Sequence, residues 1–301
     1  EPDLAMTLNN LGAVLSKMRR FDEAEVTYKE ALGIYRRLAE KEPQVYEPYL
    51  AGTLNNLGNV LSDMRRFDEA EGAYKEALGI YRRLAKKQPQ VYEPDLAMTL
   101  NNLGLVLSDM RRFGEAEGAY KEALGIYRRL AEKEPEVYEP DLARTLNNLG
   151  LVLSDMRRFD EAEVAYKEAL GIRRRLAEKE PQVYEPYVAT TLNNLGAVLR
   201  EMRRFDEAEG AYKEALEIRR RLAKQQPQVY EPDLAMTLNN LGNVLSDMRR
   251  FGEAEVAYKE ALGIRRRLAE KEPEVYEPDL AMTLNNLGAV LSKMRRFDEA
   301  E

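Results

Sequence analysis

The chain repeats itself every 46 residues: the string EPDLAMTLNNLG that opens at Glu1 returns at Glu277, and residues 277–301 copy residues 1–25 letter for letter. Six full units, 1–46, 47–92, 93–138, 139–184, 185–230 and 231–276, precede that partial seventh. A fixed period of this size marks a solenoid, whose units each bury an apolar face only against their neighbours. Every unit brings its own share of core, so residues 1–301 are read as one continuous domain. The question of function turns towards an extended surface and away from a single catalytic cleft.

Composition narrows the chemistry. Cysteine and histidine are both absent, which removes disulfides, thiol nucleophiles, the commonest zinc sites and histidine acid–base catalysis. The lack of cysteine fits a reducing compartment, and the cytoplasm is the expected location. With 46 basic and 53 acidic residues the net charge is −7, so nucleic acid is not an expected partner, because phosphate binding needs a basic stripe. No apolar run approaches the roughly 18 to 20 residues that span a bilayer, and Glu1 begins nothing like a signal peptide. Neither a membrane nor a cofactor or metal is expected.

Within one unit, Pro2 and its equivalents Pro48, Pro94, Pro140, Pro186, Pro232 and Pro278 are placed to open a first helix, where a missing N–H costs nothing. Leu4, Leu8, Leu11, Leu15 and Met18 then form one apolar stripe. Arg19 and Arg20 follow at its C-terminal end, and a tight turn at Phe21 leads to Asp22 and Glu23 at the start of a second helix. That helix carries Ala24, Tyr28, Ala31, Tyr35 and Leu38 on its buried face and is stopped by Pro43. QVYEP is expected to connect to the next unit, with Val45 and Tyr46 tucked into the seam. Gly12, Ala24 and Ala31 leave no bulk where the two helices cross.

LNNLG, then Phe21, DEAE, Tyr28, KEAL and Ile34 together resemble a tetratricopeptide repeat, from Leu8 to Ile34 of each full unit. Three residues depart from the pattern: Leu8 stands for the family's aromatic, Arg19 for its turn glycine, and the helix-ending proline is delayed to Pro43. The delay lengthens the second helix, as in the similar long repeats of kinesin light chains. The resemblance implies an all-α, right-handed superhelical solenoid of antiparallel helix pairs, whose first helices line a concave groove for an extended peptide or a partner helix.

Comparing the units shows where they differ. On the first helix the differences fall at Asp3, Met6, Ala13 and Lys17 and their equivalents, which with Asn10 step along a single helical face. Asn10, Asn56, Asn102, Asn148, Asn194, Asn240 and Asn286 form a row of amides able to bind a peptide backbone irrespective of its side chains. The neighbouring Asn9 row is open to the same reading or to a purely structural one. Asp63, Asp109, Asp155, Glu201 and Asp247 make the groove floor acidic and favour a basic guest. Lys17, Arg144, Lys293 and Arg200 are too scattered for a clamp on a carboxylate.

Other clusters read as surface. Glu23 and Glu25 stand at what should be a solvated helix start. The runs Arg173–Arg175, Arg219–Arg221 and Arg265–Arg267 are expected to form an outer face of i,i+4 ion pairs. The leading expectation is therefore a non-catalytic scaffold that docks a protein or peptide on its first helices. Two alternatives stay open: head-to-tail self-assembly through matching end surfaces, and effector sensing within a larger regulatory protein.

Overall fold

A computed structural model describes residues 1–295. The helices gather into two compact units, Glu1–Met156 and Arg157–Glu301. The first contains α1 (Pro2–Lys17), α2 (Phe21–Lys41), α3 (Pro43–Asp63), α4 (Phe67–Lys87), α5 (Pro89–Asp109), α6 (Phe113–Lys133) and α7 (Pro135–Asp155). The second contains α8 (Phe159–Lys179), α9 (Pro181–Glu201), α10 (Phe205–Gln225), α11 (Pro227–Asp247), α12 (Phe251–Lys271) and α13 (Pro273–Lys293). The expected all-α fold is present, with no strand among the described residues.

Within each unit every helix packs along the next one in the chain. First helices also touch in succession, α1 to α3, α5 and α7, and α9 to α11 and α13, whereas among the described residues the second helices keep their backbones apart. In both units the first helices therefore crowd along one side and the second helices fan out along the other.

Each hairpin closes in the same way. At the end of α3, Arg65 N–H donates to Ser62 C=O at 2.9 Å and Arg66 N–H to Leu61 C=O at 2.8 Å, the paired bonds of a Schellman cap. This closure needs a left-handed residue, and Arg65 takes it at φ 58° where glycine would do so without strain. Gly58 sits in the hairpin crossing, and a Cβ built there would lie 2.6 Å from the Tyr74 ring. The aromatic thus rests directly on the backbone of α3, which explains why this position is glycine in a helix interior.

Two expectations need correction. Pro43 does stop α2, but the connector is Glu42 alone, and Pro43 opens α3. QVYEP is therefore the first part of a 21-residue helix, with Pro48 inside it. Proline fits both places because the first-turn N–H groups have no helical partner, and one lost bond early in a long helix is tolerable. Val45 and its equivalents Val91 and Val137 consequently face solvent, at 48–56% exposed, instead of filling a seam.

Candidate peptide-binding face

The two asparagine rows separate in the structure. Asn55, Asn101, Asn147, Asn193 and Asn239 are buried, while Asn56, Asn102, Asn148, Asn194, Asn240 and Asn286 are half-buried. The second row donates into the first across successive repeats: Asn56 to Asn9 at 3.3 Å, Asn102 to Asn55 at 3.4 Å and Asn148 to Asn101 at 3.2 Å. The other compact unit repeats the pattern, with Asn240 donating to Asn193 at 3.2 Å and Asn286 to Asn239 at 3.1 Å. A threonine hydroxyl joins the same acceptor, as when Thr145 donates to Asn101 Oδ1 at 3.2 Å. The Asn9-type amides are thus structural pins. The Asn10-type amides that make these bonds donate through Nδ2 and keep their carbonyls outside them.

Further along the face, Asn59 accepts from the Tyr74 hydroxyl at 2.6 Å and from Asn102 at 3.2 Å. Leu105 and Leu151 take the same position and are 42% and 44% exposed. Asp63, Asp109, Asp155, Glu201 and Asp247 are exposed and are the last residues of α3, α5, α7, α9 and α11. A carboxylate there faces the negative end of the helix dipole, an arrangement that costs stability. The acids have cationic company: Arg157 lies 3.8 Å from Glu201, and Arg200 donates through Nε to Asp247 at 2.6 Å. Arg144 pairs with Asp141 of its own helix at 2.8 Å.

Of the charged residues read as surface, Glu23 is exposed and pairs with Arg20 of its own hairpin at 2.5 Å, but others tie helices together. Glu25 is buried, accepting Arg66 from the next repeat at 2.5 Å and Lys29 at 2.7 Å. Arg66 also grips Glu69 at 2.6 Å, so one guanidinium joins two hairpins. Arg112 with Glu71, and Arg250 with Glu209, repeat the tie at 2.6 Å. The Arg112 guanidinium holds Glu71 below the usual carboxylate range, helped by Lys75 and opposed by burial.

The arginine runs likewise depart from an i,i+4 surface. Arg173, Arg219 and Arg265 are buried, in the seats that Tyr35, Tyr81 and Tyr127 fill in the first unit. Arg219 donates to the Asp233 carbonyl at 2.8 Å and to the Thr237 hydroxyl. Burial lowers its pKa, partly offset by the Asp233 carboxylate. The next arginine reaches the following repeat, Arg174 to Glu214 at 2.6 Å, and the third crosses to its own first helix, Arg221 to Glu185 at 2.6 Å. Sequence carried a signal for the buried member, since an arginine that replaces a core tyrosine at the same repeat position must occupy the core.

The sequence profile of the tetratricopeptide repeat matches residues 3–83, 49–129, 95–175, 141–221, 187–267 and 233–301, which together span almost the whole chain. The chain belongs to the tetratricopeptide repeat family. Among solved structures this tetratricopeptide repeat protein is similar to BtubC (BKLC) from P. vanneervenii, at 29% identity and a TM-score of 0.66, covering 82% of this chain and 92% of that one. Pseudomonas aeruginosa pilF, at 17% identity and TM-score 0.56, covers 93% of this chain and 98% of its own. The apo form of RapI, at 14% identity and TM-score 0.60, covers 98% and 99%. The last two likenesses bear on the fold alone. No curated protein matches the sequence. The tetratricopeptide repeat fold is in general that of a protein-interaction scaffold, and among the described residues no helix is long and apolar enough to cross a membrane.

Proposed function

We propose that the chain is a non-catalytic scaffold that docks an extended segment of a partner protein along its first helices. The exposed amide of Asn10 and the half-buried amides of Asn56, Asn102, Asn148, Asn194, Asn240 and Asn286 hold the segment's backbone, and the acids Asp63, Asp109 and Asp155, which among the described residues lack the arginine partners of Glu201 and Asp247, favour basic side chains on it. The observation that carries this reading is the placement of a carboxylate at the end of five first helices, where the dipole opposes it. Retaining such a residue at a local cost points to a role outside folding.

The test uses a Lys- and Arg-containing peptide selected by display against the whole chain. Asn102→Ala with Asn148→Ala should weaken it at least tenfold, about 1.4 kcal/mol, with helix content retained. Asp109→Lys should weaken it while raising stability by about 0.3 to 1 kcal/mol through the dipole. Affinity unchanged within about twofold in both variants would remove the reading.

A further inference from the structure

One repeat departs from the others where its first helix ends. At the sixteenth position of the repeat, Ser16, Ser62, Ser108, Ser154, Ser246 and Ser292 give way to Arg200. Arg200 lines a cavity of about 540 Å³ together with Arg157, Glu201, Arg203, Phe205 and Asp247. The matching residues two repeats earlier, Arg65, Ser108, Asp109, Arg111, Phe113 and Asp155, carry two cations and two carboxylates and so balance. With Arg200 in place of the serine the count becomes three cations against two carboxylates.

The arrangement of these charges leaves donors facing the cavity. Arg200 is tied to Asp247 through Nε, which keeps its two terminal nitrogens out of that bond. Arg157 is steadied over the Phe159 ring, 5.3 Å from its centroid, and only loosely engaged with Glu201 at 3.8 Å. Arg203 sits in the left-handed cap of α9 at φ 59°, and among the described residues no carboxylate pairs with it. Planar guanidinium forks converging on one cavity are suited to carboxylate and phosphate oxygens, which they bind in bidentate fashion.

We propose that this cavity is an oxyanion-binding site that receives a carboxylate or phosphate carried by the docked segment. It also gives a repetitive groove a register. Nearly identical repeats offer a bound segment several equivalent positions, and one anion-binding exception among cation-favouring neighbours selects a single one. The identity of the anion's carrier rests on the docking reading above; the site itself does not, and a bare ion tests it.

Titrating the whole chain with inorganic phosphate, and separately with acetate, while following the arginine Nε–H resonances by NMR tests the site. Saturable shifts at Arg157, Arg200 and Arg203 are expected. Preference for phosphate assigns the site to a phosphorylated side chain, and equal response to acetate assigns it to a carboxylate. Arg200→Ser, which restores the repeat's own residue, and Arg203→Gly, which suits the positive φ, should each weaken phosphate about tenfold. Arg111→Gly, in a charge-balanced repeat, should leave it unchanged. No saturable shift, or undiminished binding in Arg200→Ser, overturns the site. Phosphate binding that is saturable while Asn102→Ala with Asn148→Ala and Asp109→Lys leave the peptide's affinity unchanged would remove the docking reading and leave the site standing.

Discussion

At the residue scale the fold depends on two positions where the backbone favours glycine. Each hairpin turn needs a left-handed residue, and this chain places arginine there seven times. Arg65→Gly should therefore raise stability by about 1 kcal/mol, read as a shift in the denaturant midpoint. Glycine matters differently in the two helices of a hairpin. Gly58 lies under the Tyr74 ring at 2.6 Å, so Gly58→Ala should cost about 1 to 3 kcal/mol by overpacking. Nothing lies within 4 Å of a Cβ at Gly33, so Gly33→Ala should instead stabilise by about 0.5 to 1 kcal/mol. A matching loss in both variants would contradict this packing.

At the element scale, apolar spacing made the helices legible and charge made their contacts illegible. The stripes of Leu8, Leu11 and Leu15, and of Ala24, Tyr28 and Ala31, identify two helices per repeat because burial enforces the helical period. Prolines misled, since Pro43 and Pro48 both suit an early helical turn and only tertiary packing selects the earlier one. The ion pairs Arg36–Glu76 and Arg66–Glu25 join residues 40 and 41 positions apart, a spacing that no pattern along one helix reveals. The same holds for the candidate face. Its variable positions were legible from the differences between repeats and its amide rows from their invariance, but the roles of the Asn9 and Asn10 rows were not, because which amide is buried depends on how neighbouring helices stack.

The seam between repeats supplies a test of this packing. Tyr81 faces Asp95 in the first unit, and buried Arg219 faces Asp233 in the second. Arg219→Tyr re-creates the Tyr81 arrangement and should leave stability within about 1 kcal/mol. Arg219→Ala empties the seat and strands the Thr237 and Asp233 acceptors, and should cost roughly 3 kcal/mol. Chemical denaturation of the two variants checks both.

At the scale of the whole molecule, the repeated glutamate ties make stability a function of pH. Arg66 and Arg112 lower the folded pKa of Glu25 and Glu71 below the reference 4.5, so folding is favoured by their ionised forms. That contribution is complete above pH 4.5 and is lost as pH falls through the lower folded values. Urea midpoints should thus drop on acidification, and less steeply in Glu71→Gln, whose repeat has already lost its tie. High salt should weaken the exposed pairs such as Arg36–Glu76 before the buried glutamates.

The central claim is that first helices, and not second helices, receive the partner. Hydrogen exchange of the whole chain with and without the selected basic peptide tests it most directly. The account predicts added protection concentrated on α3, α5, α7, α9 and α11, strongest around Asn56, Asn102, Asn148, Asn194 and Asn240. Protection concentrated on the second helices, with those segments unchanged, would contradict it.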